Sequence, residues 1–148
     1  MNSLSANPVF VGYAITVLVL CANLLMLWGY SGSVRGKSKK TPNDEDVSQF
    51  GMGLAETDPP QVARILRAHR NAEASIYPFL FVGALFVFAG GSAGAAWWFF
   101  GIFTAARLLH SVAYVRRMQP WRTIFFVIGA LTTVALMLDV AWLLYKGA

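Results

Sequence analysis

Charge is scarce in this chain. Charged residues make up only 13% of its 148 positions, about half the share of an ordinary water-soluble domain. Cysteine is scarcer still. Cys21 is the only one, and in Val19-Leu20-Cys21-Ala22 it sits inside an apolar run, where a thiol behaves as a small hydrophobe rather than a nucleophile or metal ligand. The two histidines have no carboxylate or cysteine set at ligand spacing, so no metal site is expected. There is no glycine-rich phosphate cradle, no Ser-His-Asp set, no internal repeat and no low-complexity tract. The residues before Pro8 carry no charge, and the basic ones come only afterwards, at Arg35, Lys37, Lys39 and Lys40. That order argues against a cleaved leader, which needs its positive charge in front of the apolar run.

What is abundant is apolar surface, at 57% of the chain. Pro8 to Tyr30 contains no charge and is long enough to cross a ~30 Å hydrocarbon layer at about 1.5 Å per residue. Three more apolar stretches follow, Ser75 to Ala89, Ala95 to Tyr114 and Trp121 to Tyr145. The second of the four is short, but it extends back as a helix through Arg70, Arg67 and Arg64. The expected fold is therefore an all-α integral membrane protein, a four-transmembrane-helix bundle in a single domain over 1–148, with helices at about 8–30, 60–90, 94–117 and 120–146.

Seven basic residues lie between Arg35 and Arg70, and Arg116, Arg117 and Arg122 lie between the third and fourth spans. The Gly90 to Gly94 turn holds none. By the positive-inside rule the two basic loops face the cytoplasm and the termini face away, in either a bacterial inner membrane or the endoplasmic reticulum. Topology thus accounts for the net charge of +5, and no nucleic-acid partner is expected, because no basic and aromatic interleaving occurs outside the spans. The first loop, Ser31 to Pro60, reads as solvated, with an acidic knot at Asp44-Glu45-Asp46. Asp58-Pro59-Pro60 reads as a helix start with Asp58 capping the free amides.

Polar residues cluster where the spans begin and end. At about 100° per residue, Arg64, Arg67, Asn71 and Ala74 form one stripe, with Arg70 about 60° to the side. Arginines at a helix mouth more often anchor lipid phosphates, but an asparagine adds nothing to such anchoring and tips the balance toward a built anion site. Glu73 has Arg70, His69 and Tyr77 within one helical turn, so an internal ion pair is its expected role. Arg107, His110 and Tyr114 share one face of an otherwise apolar span. Pro120-Trp121-Arg122-Thr123 then opens the fourth span. A cation at a helix's positive end needs a nearby anion, which the free amides would also attract. Arg122 is the best single candidate for stabilising negative charge. Asp139, deep in the last span, reads as a packing group that must find a partner or stay protonated.

Arg67-Ala68-His69-Arg70-Asn71 running on to Ile76-Tyr77-Pro78-Phe79-Leu80-Phe81, with Arg107-x-x-His110-x-x-x-Tyr114 and Pro120-x-Arg122, closely resembles the MAPEG family, the membrane-associated proteins in eicosanoid and glutathione metabolism. The likeness lies nearest its prostaglandin E synthase and glutathione transferase branch. It runs from about Gly32 to the end of the fourth span and includes Val34-Arg35 and Asn43-x-Glu45-Asp46. The resemblance implies a homotrimer that binds glutathione between subunits on the cytoplasmic side. By position, Arg35, Arg70, Asn71, His110, Tyr114 and Arg122 would hold the cofactor, and Glu73 is a further candidate from a shifted position. Arg122 and Thr123 would act on its thiol, and Asp46 would be a candidate proton acceptor. Glutathione's two carboxylates suit arginine forks, and a thiol near a fixed cation ionises more readily.

The sequence departs from that pattern in four respects. The branch's glutamate falls at Ala74, while Glu73 lies one residue earlier and about 100° away. Thr123 stands for a serine and keeps the hydroxyl. Phe126 stands for a tyrosine and loses it, and the Tyr114 to Pro120 connection is one residue shorter. The expected function is a glutathione-dependent membrane enzyme that turns the thiolate on a lipophilic electrophile, lipid hydroperoxide or prostaglandin-type endoperoxide arriving from membrane lipids. A non-catalytic lipid-binding scaffold of the same family, and an unrelated four-helix protein that binds head groups, are the alternatives.

Overall fold

A computed structural model describes residues 4–147; residues 1–3 and 148 of the domain expected over 1–148 lie outside the described residues. Four helices are long and apolar enough to span a bilayer: α1 (Pro8–Ser38), α3 (Pro60–Phe88), α4 (Ala93–Val115) and α5 (Trp121–Gly147). The chain is accordingly a multi-pass membrane protein. A seven-residue helix, α2 (Asp44–Phe50), lies between the first two spans.

Local chemistry sets the ends of these helices. Asn7 caps α1, its Oδ1 accepting from Val9 N at 2.9 Å and Phe10 N at 3.4 Å, and Pro8 occupies the first turn, where no amide is needed. Ser92 caps α4 by accepting from Ala95 N at 3.2 Å. The apolar run of α1 ends at Tyr30, but the helix continues to Ser38 and stops where Lys39 turns left-handed at φ 50°. Hydropathy marks where the lipid ends, whereas the backbone goes on bonding to itself in water. Arg35 and Lys37 in the last turn complement the helix dipole.

The segment read as a solvated loop is built. The strands β1 (Lys40–Thr41) and β2 (Gly53–Leu54) pair in parallel around α2, with Lys40 opposite Gly53 and Thr41 opposite Leu54. Thr41 is fully buried, and its Oγ1 donates to Asp46 Oδ2 at 2.9 Å. Asn43 Nδ2 donates to the same oxygen at 3.0 Å. The expectation that Asp58 caps the second span is overturned. The cap position belongs to Pro59 and receives no side-chain bond, while Asp58 accepts from Arg35 Nη2 at 2.8 Å and Nε at 3.1 Å. A guanidinium fork is a stronger partner for a carboxylate than neutral amides are.

In the bundle, α3 and α4 pack on each other and both contact α1 and α5, which stand on opposite flanks without touching. The centre is aromatic. Phe79 stacks on Phe103 at 3.6 Å between ring centres, and Phe100 stands edge-on to Phe79 and Phe86. Close approach of α1, α3 and α4 depends on Gly83, where a Cβ would lie 3.1 Å from Tyr13 Cε2. Only Gly129, Leu136 and Val140 of α5 are buried, and its large outward side chains remain exposed, as a lipid-facing or subunit-facing helix requires. Cys21, on α1, is exposed.

Candidate functional site

Helical spacing places His110 and Tyr114 one above the other on α4, and the turn into α5 brings Arg122 beside them. Arg122 Cζ lies 4.9 Å from the centre of the Tyr114 ring, a cation over an aromatic face. Gln119 holds Arg122 from the other side. With its amide oxygen toward the guanidinium, it accepts from Arg122 Nη2 at 2.7 Å and Nε at 3.2 Å, and its nitrogen donates to Thr123 Oγ1 at 3.1 Å. Asn71 of α3 completes a cleft of about 300 Å³ lined by Asn71, His110, Tyr114, Arg122, Thr123 and Phe126. No carboxylate lines it, so the cleft presents hydrogen-bond donors and positive charge to whatever enters.

His110 is 2% exposed and its Nδ1 is buried without a partner among the described residues. Its ring meets Tyr114 at 5.7 Å and Phe126 at 6.2 Å between centres. An apolar groove of about 430 Å³ adjoins the cleft along α3 and α5, sharing Asn71 and Phe126 and continuing past Pro78, Ala130 and Val134. A larger groove of about 630 Å³ between α1 and α4 is walled mainly by residues such as Met26, Leu27, Val112 and Val115. Its greater size counts for little, because Arg116 is the only charged residue lining it.

Of the residues selected from sequence, the structure brings together Asn71, His110, Tyr114, Arg122 and Thr123. The others stand apart within the chain. Arg35 is engaged by Asp58, Asp46 by Thr41 and Asn43, and Arg70 is exposed outside the lining. Glu73, two residues beyond Asn71 and so about 160° round the helix, receives Tyr77 Oη at 3.2 Å and pairs with His69 Nδ1 at 3.4 Å. Arg70 forms no ion pair with it among the described residues.

Two features escaped the sequence. The amides at the start of α5, expected to be free for an anion, are occupied: Arg122 N bonds Met118 O at 3.0 Å, and Thr123 N and Ile124 N bond Pro120 O at 2.9 and 3.1 Å. Charge stabilisation at that end therefore falls to side chains. Gln119 is the second, and its one local signal is a spacing of three and four from Arg122 and Thr123.

The donor set suits an anionic ligand, and comparison with known proteins identifies the family. The MAPEG family model matches residues 13–142. Prostaglandin E synthase of Homo sapiens is 34% identical over 135 residues, covering 87% of this chain and 89% of that protein. Its counterpart in Canis lupus familiaris is 35% identical over 138 residues, covering 88% and 90%. Microsomal glutathione S-transferase 1 of Sus scrofa is 30% identical over 142 residues, covering 92% and 91%. With the family model matching residues 13–142 and relatives at 30–35% identity over most of both chains, the chain belongs to the MAPEG family.

Proposed function

We propose that the chain is a glutathione-dependent membrane enzyme that directs a thiolate at a lipophilic electrophile, a lipid hydroperoxide or a prostaglandin-type endoperoxide. The observation that carries this reading is the junction of two environments. A cleft of converging donors opens, across Asn71 and Phe126, into an apolar groove on the flank of the bundle.

Glutathione, when bound, supplies the nucleophilic sulfur. Arg122 and Thr123 would stabilise negative charge on that sulfur, Arg122 being held in place by Gln119 on one side and Tyr114 on the other. Asn71, His110 and Tyr114 would bind and orient the tripeptide from α3 and α4. The assembly we assign is a homotrimer. Arg35 and Arg70, which lie outside the cleft of their own chain, belong in this reading to the wall where subunits meet, and Asp46 is the proton acceptor an isomerase reaction would need. Glu73 is assigned to holding α3 rather than the cofactor. The basic loops face the cytoplasm, in a bacterial inner membrane or the endoplasmic reticulum.

The test is turnover of purified protein in detergent with glutathione and, in turn, an aromatic halide, a lipid hydroperoxide and a prostaglandin endoperoxide. At least one should react, and Arg122→Ala should slow that reaction by roughly 10²-fold, the scale of losing one preorganised electrostatic donor. Failure with all three would leave the lipid-binding scaffold as the better reading. Unchanged turnover in Arg122→Ala would remove that residue from its role.

A further inference from the structure

Arg107 is the bulkiest side chain sealed inside this fold. It is 1% exposed within a membrane-spanning helix, and neither ion pair among the described residues includes it. A buried guanidinium with no counter-charge is expensive, and an intramembrane cation ordinarily marks a functional site. Its bonds lead directly to the cleft. Nη2 donates to Asn71 Oδ1 at 3.1 Å and to Asn71 O at 3.4 Å, while Nε has no partner among the described residues. Gly129 of α5 faces it: a Cβ there would stand 3.4 Å from Arg107 Cδ, at van der Waals contact. Ser111 Oγ donates to Arg107 O at 3.0 Å and accepts from Asn23 of α1 at 3.1 Å, which ties this stretch of α4 to its neighbour.

Two consequences follow from the chemistry of the groups. A guanidinium only donates, so only the oxygen of the Asn71 amide can face it, and the amide nitrogen is what Asn71 offers to the cleft it lines. An unpaired positive charge behind the cleft, in surroundings of low polarity, also favours an anion in front of it.

We infer that Arg107 is a positioning residue: it fixes Asn71 as a hydrogen-bond donor to the anionic thiol co-substrate and supplies counter-charge from behind. This rests on the reading that the cleft binds glutathione. The test is calorimetric titration of glutathione into wild type, Arg107→Met, Asn71→Ala and the double variant, with melting temperatures and the ultraviolet thiolate band of the complex. Arg107→Met should weaken binding roughly tenfold or more, the scale of a lost charge-assisted contact, and diminish the thiolate band. Its melting temperature should not fall, because a costly unpaired charge has been removed. The double variant should bind about as weakly as the weaker single one, since both substitutions disable the same donor.

Wild-type affinity in Arg107→Met, or losses that multiply in the double variant, would overturn the inference. If Arg107→Met does not fold, Gly129→Val presses on Arg107 from α5 without touching the cleft lining. It should weaken glutathione binding severalfold, and unchanged affinity there would equally overturn the inference. No binding by wild type would instead sink the functional reading itself.

Discussion

At the scale of single residues, position round a helix separates groups that look equivalent in the sequence. Asn71 and Glu73 are two places apart, yet one lines the cleft and the other is held by His69 and Tyr77. Glu73→Gln should therefore lower the melting temperature while leaving glutathione affinity within about threefold of wild type, because a bond to the cofactor's amino group would be worth more than tenfold. Calorimetry alongside thermal melting decides it. A tenfold loss of affinity at unchanged melting temperature would place Glu73 in the site after all. Gln119 shows the reverse. An amide just ahead of α5 becomes the clamp on Arg122 because the turn into the helix brings it within reach of Arg122 and Thr123.

At the scale of elements, the segment between α1 and α3 is stapled by few bonds, each of which matters. Thr41 is fully buried, and its hydroxyl both donates to Asp46 and accepts from Asn43 N at 3.2 Å. Thr41→Val keeps the shape and removes both bonds, a loss of about 1–3 kcal/mol for buried polar groups left unpaired. Faster amide exchange confined to residues 40–54 is the expected result, with the four spans still protected. Unchanged exchange would mean that the β1 and β2 pairing alone holds the segment. None of this was legible beforehand. A two-residue parallel bridge joining positions 40 and 53 has no local periodicity to announce it, whereas α1, α4 and α5 each advertise themselves by long apolar runs.

At the scale of the whole molecule, the cleft lies on the outer side of the α3, α4 and α5 corner, and the arginines expected to complete it stand outside it in the same chain. Exposed side chains such as Phe81, Leu85 and Phe88 on α3 add a broad apolar surface for lipid or for a second copy. If subunits complete the site, mass measurement in detergent gives three chains per particle, and separating them abolishes glutathione binding. A stable monomer that binds glutathione with full affinity would overturn the trimer and return Arg35 and Arg70 to a lipid-facing role.

The sequence by itself determined the four spans, because a bilayer demands about 20 apolar residues and a helix satisfies its own backbone. It also determined the alignment of Arg107, His110 and Tyr114, since their spacing of three and four is local helical geometry. Where α1 ends, which acid Arg35 takes and which amides remain free at α5 were decided by the tertiary structure. So was the pairing of Asn71 with Arg107, whose positions are 36 apart in the chain. Ion pairs and buried amides choose partners by proximity in space, and that proximity exists only once α3, α4 and α5 have packed.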